Sequence, residues 1–180
     1  MVKNRQKKWW GLTLLCLPFL LCGACKSSRE ADMEAATVKH FDLSRFMGRW
    51  YEIARYDHRF ERGMTHVTAD YILLPDGTVR VVNQGIKKGK KKEITGKARQ
   101  PDPDTFPGHL EVSFFLWYYY DYNVLYVDSA YQHAIVGSSS DKYLWILSRT
   151  PSVSDKELDK LLEIAKQRGY GLTRLIEVEQ

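Results

Sequence analysis

From Gly48 to Arg149 apolar and polar residues alternate in short runs broken by turn residues, the period of half-buried β-strands. In the first run Trp50, Glu52, Ala54 and Tyr56 share one face. Val67, Ala69 and Tyr71 alternate next, and Pro75-Asp76-Gly77 marks a hairpin before Val79 and Val81. Ile94, Gly96 and Ala98 precede a second turn at Pro101–Asp104. Leu110, Val112 and Phe114 form the next run, then Tyr122, Val124 and Tyr126, then His133, Ile135 and Gly137, then Tyr143, Trp145 and Leu147. Eight strands at hairpin spacing predict an all-β fold: an eight-stranded antiparallel up-and-down barrel, wide enough for one small ligand. Beyond it the period changes. Ser154-Asp-Lys-Glu157 is a capping box, Leu158, Leu161, Leu162 and Ala165 form one helical stripe, and Gly169 ends it. One C-terminal α-helix should therefore flank the barrel, followed by a short closing strand over 172–178. Phe41–Phe46 reads as a helical turn, capped by Asp42 or Ser44, that closes the barrel floor.

The N-terminus follows neither period. A basic start, an apolar run over 11–21 and Gly23-Ala24 before Cys25 form a secretory leader. The apolar run is short for a permanent membrane span. Gly-Ala-Cys resembles a lipoprotein cleavage motif, with Cys25 as the acylated residue, although Cys22 stands where that motif usually has Leu. The expected organisation is a signal peptide over 1–24, a flexible tether over 25–39 and one domain over 40–180.

The leader also changes the meaning of the charge. Four of the 27 basic residues, Lys3, Arg5, Lys7 and Lys8, lie in it with no acid beside them. The remaining 23 face 22 acids, so composition gives no support for nucleic-acid binding. All three cysteines lie at or before position 25, which leaves the domain without a disulfide.

Gly48-Arg-Trp50-Tyr51, followed by Asp57–Gly63, Tyr122–Asp128 and Tyr143–Pro151, resembles the lipocalins and, within them, the bacterial outer-membrane lipoproteins similar to apolipoprotein D-like members. The resemblance implies that Trp50 plugs the closed end of the barrel with Arg149 packed across it, a cation–π contact, while Gly48 and Asp128 support the same end. It implies a binding protein whose ligands are fatty acids or lysophospholipids, held at the outer membrane through lipidated Cys25 and facing the periplasm or the cell surface.

Alternation from Trp50 points Ala54, Tyr56, Ala69, Tyr71, Val81, Val112, Phe114, Tyr126, Tyr143 and Trp145 into the cavity, a lining suited to an acyl chain. Ala54, Ala69, Gly96, Ala98 and Gly137 are small enough to leave room. Glu52 is an acid on that face, for which Tyr71, Tyr122 or a water is the expected partner. Arg55, Arg59 and Arg62, with Lys87–Lys92, could meet a phosphate headgroup at the rim. Phe115–Tyr120 is an aromatic loop suited to the pocket rim, a membrane, a homodimer or another envelope partner. Two alternatives stand beside lipid carriage: an interaction protein using that loop, and a tetrapyrrole-like carrier, for which His133 is the inward histidine by alternation. No nucleophile elbow, metal-ligand spacing or phosphate loop is found, so neither an enzyme nor a metal or cofactor site is expected.

Overall fold

The computed structural model describes residues 32, 36–115 and 117–180. The leader, Cys25 and most of the tether lie outside the described residues. Nine strands run in order: β1 (Gly48–Tyr56), β2 (Met64–Leu73), β3 (Val79–Lys87), β4 (Lys90–Arg99), β5 (His109–Phe115), β6 (Tyr118–Val127), β7 (His133–Gly137), β8 (Leu144–Ser148) and β9 (Leu175–Glu177). Helix α1 (Leu43–Phe46) precedes them, and α2 (Asp155–Gln167) follows β8. The sheet order is β2-β3-β4-β5-β6-β7-β8-β1-β9, all antiparallel, and a β1–β2 ladder closes the barrel. The eight-stranded barrel and flanking helix are as the periodicity predicts. The closing segment divides into a 3-10 turn, Leu172–Arg174, and β9 against the upper half of β1.

Local chemistry explains the punctuation. Lys88 and Gly89 both have positive φ, 53° and 70°, which makes a two-residue primed turn and carries the lysine run around the β3–β4 tip. Ser154 Oγ accepts from Glu157 N, capping α2 as its sequence requires. Asp42 caps α1 by accepting from Ser44 N and Arg45 N.

β1 is shared three ways. It pairs with β2 over Gly48–Tyr51, with β8 from Tyr51 to Arg55, and with β9 over Ala54–Tyr56. Above Tyr51 the chain after β9 fills the seam between β1 and β2. Val178 N donates to Ile53 O, and Gln180 Nε2 bridges Glu52 O and Val67 O.

Of four register shifts in the barrel, two decide which residues of β1 and β6 face inward. Between Glu52 and Ala54 the β8 partner advances by only one residue, which leaves Ile53 extra; between Val124 and Tyr126 the β7 partner does the same, which leaves Leu125 extra. Each bulge reverses the strand's parity. Ala54, Tyr56 and Tyr126 therefore pack with Leu161 and Ala165 of α2 rather than in the barrel, a correction to the alternation reading. Ile135 joins them, and Ala134 and Val136 face inward in its place. His133 sits at the base of β7, with Nδ1 3.2 Å from Asp128 and 3.7 Å from Glu157 of α2, so it is not a calyx ligand.

The folded chain starts earlier than the boundary at residue 40. Thr37 is buried, Val38 N donates to Val124 O, and Arg168 Nη1 donates to Ala36 O. Residues 36–39 thus belong to the body rather than to the tether.

Candidate functional site

The barrel has one sealed end. Trp50 is fully buried, and its Nε1 donates to Phe46 O at 2.8 Å. The Arg149 guanidinium lies 3.8 Å above the indole and donates to the carbonyls of Arg45, Met47, Arg49 and Tyr131. Gly48 has φ +92°, and a Cβ there would stand 3.4 Å from Arg149 Nη1, so glycine serves both the turn and the close approach. Asp128 supports the same end from the β6–β7 turn. Burial raises its pKa, but backbone N–H groups of Gln132, His133 and Ala130 more than offset that and hold it below the usual carboxylate range.

Above this floor the lining is only partly buried. Ala69, Val112, Phe114, Tyr122 and Trp145 belong to the interior cluster yet remain only half-buried, whereas Trp50, Val79, Val81 and Leu110 beneath and beside them are sealed. A barrel filled by its own side chains would bury both sets alike. The predicted lining residues Ala69, Tyr71, Val81, Val112, Phe114 and Trp145 all fall in this cluster. Tyr71 and Tyr122 bond to each other across the calyx, O···O 2.7 Å, and burial raises both hydroxyls.

Tyr143 lies at the mouth, stacked on Trp145 with ring centroids 5.8 Å apart. Here the structure adds a polar cluster that alternation conceals. The Ile53 bulge turns Arg55 inward, where it is 1% exposed. Its Nη1 donates to Glu52 Oε1 at 2.6 Å, and its Nη2 donates to Glu61 O and Met64 O. Glu52 is therefore partnered by Arg55 and not by a tyrosine. Glu61, also buried, accepts from Trp145 Nε1 at 3.1 Å and lies 3.0 Å from His58 Nε2, off the hydrogen-bond axis. Burial and the charge of Glu61 raise Glu52 to about 8 against the pull of Arg55. Arg55 Nε, the nitrogens of His58 and Asn83 Oδ1 make no hydrogen bond within the described protein. Asn83 pairs with Ala69, so it faces the same space.

The other basic candidates divide. Arg62 is bound to Asp57, and the lysines of the β3–β4 tip project into solvent. Pairing of β4, β5 and β6 brings His109, Glu111 and Asp121 within 4.8 Å on the outer wall, a grouping the sequence spacing does not suggest. Arg99 already holds Glu111, and Asn123 holds His109. No described helix is long and apolar enough to cross a membrane.

Comparison with known proteins agrees with this architecture. The profile of the lipocalin-like domain matches residues 41–180. The outer membrane lipoprotein Blc of Vibrio cholerae is 45% identical, over 92% of this chain and 96% of its own, and that of Citrobacter freundii is 44% identical over 87% and 89%. Mouse apolipoprotein D is 28% identical over 79% of this chain and 78% of its own. Insecticyanin from the tobacco hornworm superposes with a TM-score of 0.68 at 22% identity, over 81% of this chain and 84% of its own, and this likeness concerns the fold alone.

Proposed function

The chain belongs to the lipocalin family, and on that premise we propose that its calyx binds one small amphipathic lipid, a fatty acid or lysophospholipid, and carries or stores it at the bacterial outer membrane. Membership of this family implies a hydrophobic ligand. The finer reading rests on one observation: a half-buried apolar and aromatic lining leads upward from the sealed floor to polar atoms that make no hydrogen bond among the described residues. Methylenes would bury against Ala69, Val112 and Phe114, each contributing about 0.8 kcal/mol. The polar head would sit near Arg55, His58 and Asn83, where an orphan donor and an orphan acceptor are available.

Anchoring through acylated Cys25 follows from the leader and accords with the names of the Blc relatives. The role is that of a carrier, with no reacting group assigned. Native mass spectrometry of residues 27–180, purified from a bacterial host and then extracted with organic solvent, tests this. A co-purifying fatty acid or lysophospholipid is expected. A bare protein that takes up no lysophospholipid on titration would sink the lipid reading.

A further inference from the structure

The strand order sorts the connections into two sets. Residues 74–78, 100–108 and 128–132 join strands at the sealed end, and 57–63, 88–89, Trp117 of the β5–β6 hairpin and 138–143 lie at the mouth. The mouth carries two unusual tips, on hairpins that neighbour each other in the strand order. On the β5–β6 hairpin Phe115, Trp117 and Tyr118 are 70%, 78% and 65% exposed, and Phe60 of the first loop is 58% exposed. On the β3–β4 hairpin Lys87, Lys88, Lys90, Lys91 and Lys92 pair with no carboxylate among the described residues. Two rim acids are already neutralised, Asp57 by Arg62 and Asp141 by Arg174. Exposed aromatics beside unpaired cations match the two layers of an anionic bilayer surface, acyl boundary and phosphate.

The path of the N-terminal segment points the same way. Lys39–Asp42 line a cleft at the sealed end with Asp104, Pro107 and Ser129. Ala36 and Asp32 line another at the mouth, with Tyr56, Ser138–Asp141 and Gly169. From Asp42 back to Ala36 and Asp32 the described residues thus pass from the sealed end to the rim. Six residues lie between Asp32 and Cys25, seven Cα–Cα steps with a reach of at most about 25 Å.

We propose that the barrel docks mouth-down on an anionic phospholipid surface, with the aromatic β5–β6 tip at the acyl boundary and the lysine tip on the phosphates. Ligand then passes between bilayer and calyx without crossing water. Only the placing of the anchor rests on the lipoprotein reading; the surface chemistry stands apart from it.

The test uses the mature lipidated protein in phosphatidylethanolamine vesicles, with or without phosphatidylglycerol, built from brominated or ordinary acyl chains. Brominated anionic vesicles should quench tryptophan fluorescence. Trp117→Phe should remove most of that quenched signal, because Trp50 and Trp145 lie within the barrel. Changing Lys88, Lys90 and Lys91 to Gln should lower the docked-to-undocked ratio by about five-fold per lysine, and raised salt should act similarly. Absence of quenching, or equal quenching in neutral and anionic vesicles, would overturn the docking. So would a Trp117 shielded from bromine in a particle of doubled mass, which would assign the hairpin to a second copy. Lysophospholipid uptake measured on the same sample separates the two readings: uptake without quenching leaves the carrier standing and removes the docking, and quenching without uptake does the reverse.

Discussion

The two ends of the barrel place polar groups in opposite ways. At the floor, Arg149 spends its donors on four backbone carbonyls and its face on Trp50, and Asp128 fills its oxygens with backbone N–H groups. At the mouth, Arg55 holds Glu52 and two carbonyls but keeps Nε without a hydrogen bond, and His58 and Asn83 also have atoms that make none among the described residues. Saturation makes the floor a structural plug. Incomplete satisfaction leaves the mouth with donors and acceptors that are open to a ligand or water.

The strongest way to break this contrast is to remove the plug. Trp50→Ala should destabilise the protein by about 3–5 kcal/mol, read as a lower urea midpoint. Mere loss of lipid binding at unchanged stability would contradict the assignment of the floor. Next comes Arg55→Leu, which removes the donors that Glu52 Oε1 and the carbonyls of Glu61 and Met64 now accept from. It should cost about 3 kcal/mol, read as a lower urea midpoint. Trp145→Ala removes a half-buried wall of the calyx and should weaken lysophospholipid binding about tenfold, measured by titration, with a smaller effect on unfolding.

A pH series sharpens the comparison further. Glu52 is raised from 4.5 to about 8 in the folded state, so between those values the native protein holds the extra proton. Its contribution is complete below the unfolded pKa and is lost as pH rises through the folded one. Wild-type urea midpoints should therefore fall from about pH 5 to about pH 8. Glu52→Gln should flatten this part of the profile, and an unchanged slope would place the proton elsewhere. The smallest effect belongs to Tyr126→Phe. That ring packs with the α2 side of the barrel, so lysophospholipid affinity should stay unchanged; a measurable loss would mean that the ring reaches the calyx.

Much of this was legible in the residues themselves, because turns and caps are local. Pro75–Gly77, the Ser154 capping box and the Gly48–Trp50 opening each act within a few positions. Parity along β1 and β6 was not legible beyond their bulges, since Ile53 and Leu125 become extra only against β8 and β7. In a regular strand, residues three apart face opposite ways, which hid the Glu52–Arg55 pair. An arginine directly before Tyr56 in a largely apolar run was the one available hint. The packing of residues 36–39 was invisible because it depends on Val124 and Arg168, far along the chain.

The three-way sharing of β1 has a consequence for synthesis and export. Its lower half finds β2 within roughly twenty residues of chain, but its upper half is completed only by β8, β9 and Val178–Gln180, roughly a hundred residues later. Until those residues emerge, Ile53–Tyr56 is an unpaired apolar edge, the kind of surface that recruits other strands. Ring closure therefore has to wait for residues 144–180, and until then the upper half of β1 needs protection from other strands.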